Sequence, residues 1–335
     1  MKEKRPIDRK REAGGSFVIG DVNDGTPIRK FVKMAGNLLA LTDRGIYEIK
    51  LADQIDPERT NPNLPHNVHR QVLSVGCESE LVRRVFLSAH TLFDEKFLRS
   101  TIDHEQALTL AFDALENMTA MSTIASDFDR AEQHADASFG ARNQREGSIM
   151  LPAIGDVRSR CKTYMQKADH AAGALYEIVK LFYPMTRRRY WSGVLETLRA
   201  KYGPDDPFTL EMTRAVPFLM LVRNTRDCLE HGNLKGVTIT DFVITAEGKI
   251  ERPVIAIDFR ETKEPAIAIA LFFNQIGQGL TKAIELIFAL LCSKNTEPCS
   301  GFPVQVIELD EHWQAAKHVR FAYGIKMNGQ MVPIG

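Results

Sequence analysis

Arg223, Asn224, Arg226, Asp227, Glu230 and His231 crowd into the end of residues 218–233, which open apolar with Leu219, Met220, Leu221 and Val222. Together these side chains can do proton and phosphate chemistry. An imidazole moves protons near neutral pH. A guanidinium stabilises charge gathering on a phosphate. A carboxylate near an imidazole orients it or favours its charged form.

The segment must be helical for these groups to cooperate. At about 100° per residue, Phe218, Val222, Thr225 and Leu229 share one apolar face, and the polar residues follow one another around the other side. Gly232 is placed to stop the helix. Arg223 with Asp227, and Arg226 with Glu230, are one turn apart and set to pair. Arg226 and His231 are five residues apart, so on an ideal helix they point about 140° away from each other. One straight helix does not aim both at a single atom. A second copy, or an unwound last turn, has to bring them together.

The Arg-x4-His spacing of Arg226 and His231, with polar Asp227 directly after the arginine, resembles the motif of the HEPN superfamily. Members are helical bundles, and many are metal-independent ribonucleases whose two subunits join their motifs across a dimer interface. The resemblance covers at most residues 78–232. It implies proton transfer by His231 at an RNA 2′-hydroxyl, phosphate stabilisation by Arg226 and an orienting role for Asp227. Arg223 and Asn224 would supply further phosphate or base contacts. It implies RNA as partner, a homodimer, and neither metal nor cofactor, because the nucleophile belongs to the substrate.

Other stretches carry separate possibilities. Arg187, Arg188 and Arg189 precede Tyr190 and Trp191. Three cations in a helix's first turn oppose its macrodipole, so this stretch is a substrate-binding candidate for phosphate and stacked bases. The plainer alternative is a solvated turn with its aromatics turned inward. The acidic stretch Asp127, Asp129, Glu132, His134 and Asp136 reads as a solvated helix face rather than a metal site. Asp169-His170 reads as a satisfied polar pair in a core. Phosphate-loop, dinucleotide and nucleophile-elbow glycine motifs are absent from the sequence, so those enzyme classes lack support.

The totals set bounds. The chain has 335 residues, with 43 basic and 43 acidic side chains. A neutral balance gives no global pull towards nucleic acid, so RNA binding needs a local patch. Five cysteines, none in a C-x-x-C pair, read as reduced thiols of a cytoplasmic protein. The charged N-terminus has no secretory-leader pattern. Residues 265–281 lack charge, but their amides and glycines favour a buried helix over a membrane span.

Periodicity gives the elements. Residues 1–15 read as a disordered basic tail and 16–65 as a small β-meander followed by a Pro-containing linker. Residues 66–232 read as a helical bundle, with helices at 78–93, 103–136, 156–183, 187–201 and 207–231. Asp103 caps the second and Thr186 the fourth; Pro217 bends the last. Residues 233–335 read as β-hairpins around one long buried helix at 266–292, with turns at 246–249 and 328–329. The expected fold is α+β: a helical bundle core with flanking antiparallel β-strands at both ends of the chain. The competing function is a non-catalytic scaffold that binds a partner through the bundle and C-terminal sheet.

Overall fold

The computed structural model describes residues 4–13, 19, 26–140, 148–184, 190–231, 235–299, 301–327 and 329–334. The chain is α+β, with a helical core and antiparallel sheets towards both ends. Its contacts divide it into two units, Met1–Arg83 with Glu311–His318, and Arg84–Asp310 with Val319–Gly335.

In the first unit, β1 (Ile28–Met34), β2 (Asn37–Thr42), β3 (Ile46–Leu51) and β4 (Asn67–Leu73) form an antiparallel meander. Ala40, Tyr47 and Ile49 alternate inward onto a small core with Ile19. The expected hairpin at 37–50 is present, with Gly45 N–H and Arg44 N–H both donating to Thr42 Oγ1. Two expectations need correction here. Residues Pro6–Glu12 form helix α1 where a disordered tail is expected. Pro at its start, Asp8 in its first turn and three basic residues in its last suit a helix dipole. Arg11, only 3% exposed, pairs with Asp56 at 3.3 Å. The bundle does not begin at residue 66 either, because β4 joins this sheet. Its largely exposed, polar residues hide the usual alternation. The short helices α2 (Ala52–Ile55) and α9 (Glu311–Lys317) complete this unit.

The second unit is built on α4 (His104–Gly140), α5 (Val157–Phe182), α6 (Tyr190–Tyr202), α7 (Pro207–Glu230) and α8 (Ile269–Ser293). The expected helix at 78–93 is a wide π-type stretch, Val82–Leu87, running into α3 (Ser88–Leu92). Asp103 does cap α4, accepting from Gln106 N–H at 2.9 Å. The expected stripe of α5, from Val157 to Phe182, is buried. Asp206 caps α7, and the helix continues through Pro217. Thr186 lies outside the described residues, as do Arg187, Arg188, Arg189 and Gly232.

Strands β5 (Val237–Thr240), β8 (Val254–Phe259) and β9 (Thr262–Ala268) form one sheet, and β6 (Val243–Ile244) with β7 (Ile250–Glu251) forms the hairpin expected around 246–249. β10 (Val304–Glu308), β11 (Phe321–Met327) and β12 (Gln330–Ile334) form another. Residues 262–268 are strand, so the long helix starts three residues later than the expected 266. Arg260, at φ 54°, opens the tight turn that folds β9 back on β8.

The bundle and the C-terminal stretch are not separate bodies. α8 packs against α3, α4, α5 and α7, so the last third of the chain supplies a core helix. At Gly279 of α8 an added Cβ would sit 2.5 Å from the Phe218 ring, so any larger residue there would have to displace that ring. α8 is long and apolar enough to cross a membrane by length and composition, and 56% of its most apolar window is buried within the protein.

Cys77, Cys161, Cys228 and Cys292 are buried, and Cys299 is partly exposed. Burial pushes the Cys161 thiol up to about 12. Thiolate is the reactive form. A thiol-reactive dye should therefore titrate one cysteine quickly in the native protein and five in denaturant. Two or more fast native thiols would contradict this packing.

Candidate functional site

α5 lies between α4 and α7, and its exposed stripe floors a groove of about 720 Å³. His170, Gly173 and Glu177 run along the floor, one helical turn apart. Asp113, Glu116 and Asn117 of α4 stand on one wall. Arg223 and Arg226 of α7 stand on the other, with Tyr190 at the start of α6.

Asp169 organises the arginine wall. Its side chain is 6% exposed, and Arg223 Nη1 donates to it at 3.0 Å. Arg226 Nε lies 3.6 Å from the same carboxylate. Arg226 also pairs with Asp227 at 3.2 Å and, as its spacing suggested, with Glu230 at 2.7 Å. Arg223 reaches Asp227 at 3.5 Å, the other expected pair. A guanidinium with several planar donors can serve all these acceptors, whereas an ammonium cannot. Arg223 also sits 5.5 Å from the centroid of the Tyr190 ring, which packs against Tyr176 with centroids 4.7 Å apart. Tyr190 holds φ at 45°, a left-handed conformation that is costly for a ring-bearing residue.

Four carboxylates, Asp113, Glu116, Asp169 and Glu177, thus share the groove with two guanidiniums. Burial raises the carboxyls of Asp113 and Glu116. It raises Asp169 too, against the pull of Arg223 and Arg226. Glu230 goes the other way: Gln166 donates to it at 2.8 Å, and this bond, with the charge of Arg226, lowers its carboxyl.

The signs set opposite pH behaviour. A depressed carboxyl contributes stability above its unfolded value and loses it as pH falls through the folded one. Glu230 therefore supports the helix end at neutral pH and stops doing so in acid. A raised carboxyl binds its proton more tightly in the folded state, so Asp169 ionisation costs stability as pH rises through its elevated value. Carboxyl-carbon NMR should place Asp169 above the ordinary aspartate value and Glu230 below the ordinary glutamate value, and Gln166→Ala should move Glu230 upward. Shifts of the opposite sign would contradict the assigned contacts.

The remaining candidates fall elsewhere. Asn224 is fully buried; its amide donates to Thr262 at 2.9 Å and accepts from Arg260 at 3.1 Å. It borders a second cavity of about 700 Å³, between α7 and β9. His231 follows the last residue of α7, is exposed, and donates its backbone N–H to Asp227 O at 3.0 Å. It does not line the arginine groove. Trp191 is fully buried, so of that aromatic pair Tyr190 alone faces the groove.

His170 needs correction as a core residue, since it is exposed on the groove floor while its neighbour Asp169 is the buried member. Sequence spacing gives no sign that Asp169 reaches across to α7, because that contact spans 54 positions. Glu132 and Asp136 of the acidic stretch face Arg252 at 3.6 and 3.2 Å. Among the described residues, no group of three or more His, Cys, Asp or Glu is gathered to hold a metal ion.

Fold and site together define an α+β protein whose helical core carries an acid-and-arginine groove. No protein-family model, curated protein or solved structure matches the chain.

Proposed function

We propose that this chain is a HEPN-like RNA-binding protein that cuts RNA without a metal, through a site shared by two copies. The observation that supports it is the pair Arg223 and Arg226 standing on a groove beside Tyr190, with His231 exposed at the end of the same helix. Guanidiniums beside a tyrosine ring suit a phosphate next to a stacked base. His231 lies off that groove, so a second copy is the source of the imidazole that meets Arg226.

In the reaction, His231 takes the 2′-hydroxyl proton as the O2′–P bond forms. Arg226 stabilises the charge on the phosphate. The P–O5′ bond breaks as the leaving oxygen takes a proton from water, leaving a 2′,3′-cyclic phosphate and a 5′-hydroxyl, and the His231 imidazolium gives its proton back to solvent. Single-stranded RNA incubated with the protein in EDTA should yield fragments with that end. Intact RNA would remove the catalytic part of the proposal.

A second reading has its own support. Arg226 is already surrounded by Asp169, Asp227 and Glu230 of its own chain. A guanidinium neutralised in this way acts as a clamp on the helix end, and the protein then binds a partner without cutting it. Binding of RNA with no cleavage would favour this reading.

A further inference from the structure

We propose that the groove between α4 and α7 is a guanine pocket, an inference that rests on the RNA reading above and names the base it takes. The groove is polarised across its width. One wall offers acceptors, Glu116 and Asp113, and the other offers the Tyr190 ring and the Arg223 guanidinium, which is held by Asp169 and Asp227 and keeps a 40% exposed side chain. A phosphate inside the acidic half would be repelled, so phosphate belongs at the arginine wall and the base lies towards α4.

Ionised carboxylates only accept hydrogen bonds. The base for that wall must therefore present adjacent donors. Guanine does, with N1–H and the N2 amino group side by side, matched to the two oxygens of one carboxylate. Its O6 then needs a donor. Asn117 lies one residue from Glu116, and its amide has two N–H groups, one of which donates to Asp113 O at 2.8 Å. Adenine, cytosine and uracil each place an acceptor where the carboxylate needs a donor.

The floor supplies an independent observation. Gly173 sits in the interior of the 26-residue α5, where glycine weakens a helix. An added Cβ there meets nothing within 4 Å, so no packing demand accounts for it. Its missing side chain deepens the groove between His170 and Glu177.

The test is calorimetric titration with GMP, AMP, CMP and UMP, alongside short single-stranded RNAs with and without one guanine. GMP should bind at least tenfold more tightly than the other three. Glu116→Gln should lower GMP affinity about tenfold or more, as expected for loss of a two-bond base contact, and leave AMP unchanged. Gly173→Phe should abolish binding, whereas Gly173→Ala should keep the melting temperature at or above wild type. Equal affinity for all four nucleotides, or undiminished GMP binding to Gly173→Phe, would overturn the proposal. The two claims separate cleanly. GMP selectivity without RNA cleavage sinks the ribonuclease reading and keeps the guanine pocket. RNA cleavage indifferent to guanine does the opposite.

Discussion

His231→Ala should lower the rate of RNA cleavage by about 10²- to 10⁴-fold, the usual contribution of a positioned acid or base. The side chain is exposed and follows the end of α7, so its loss should leave the fold intact. The control is the melting temperature, which should match wild type. Arg226→Lys should be nearly as damaging, by about 10²- to 10³-fold, as for loss of a donor aimed at developing charge. Lysine keeps the charge but cannot span Asp169, Asp227 and Glu230 as the guanidinium does. Variants that retain full cleavage would restrict the α7 tip to a structural role. Rates should be measured with protein in excess over a labelled RNA, so that the chemical step is read rather than product release.

The largest effect on stability is expected at Glu285, far from the groove in sequence. It is fully buried in α8, and Arg84 donates to it at 2.9 Å while Arg320 stands 3.8 Å away. Glu285→Ala should cost about 3–5 kcal/mol, the range for removing one member of a buried pair. The cost arises because Arg84 loses this carboxylate and a cavity opens in α8 beside it, while Arg320 keeps Glu308 at 2.8 Å. Urea denaturation followed by circular dichroism measures it. A loss below about 1 kcal/mol, typical of exposed pairs, would mean that the arginines find water instead.

The helices were legible because their apolar stripes are long and regular. α4 and α5 bury the positions that three-and-four spacing selects, among them Phe112, Leu115, Met118, Cys161 and Leu175. The capping role of Asp103 and the pairing of Arg226 with Glu230 were local, and local rules found them. Non-local features escape such rules. β4 is hard to read because its residues are mostly polar on an exposed strand. α1 is hard to read because a short charged stretch resembles a tail until the ion pair of Arg11 with Asp56 is seen.

The groove belongs to this second class. Nothing in the spacing of Asp113, Glu116 or Asp169 says that they face Arg223 and Arg226, since helix packing alone brings α4, α5 and α7 together. Asn224 illustrates the limit from the other side. As a polar residue beside an arginine it looked suited to a ligand contact. Packing against β9 instead gives it Thr262 and Arg260 as partners.

The sharing of one site by two copies is tested most directly by mixing two inactive variants, His231→Ala and Arg226→Lys. If Arg226 of one copy works with His231 of the other, each mixed dimer holds one intact site. Random pairing should then restore on the order of a quarter of wild-type cleavage. If the mixture cuts RNA no faster than either variant alone, the two side chains do not meet across a seam, and the shared site is wrong.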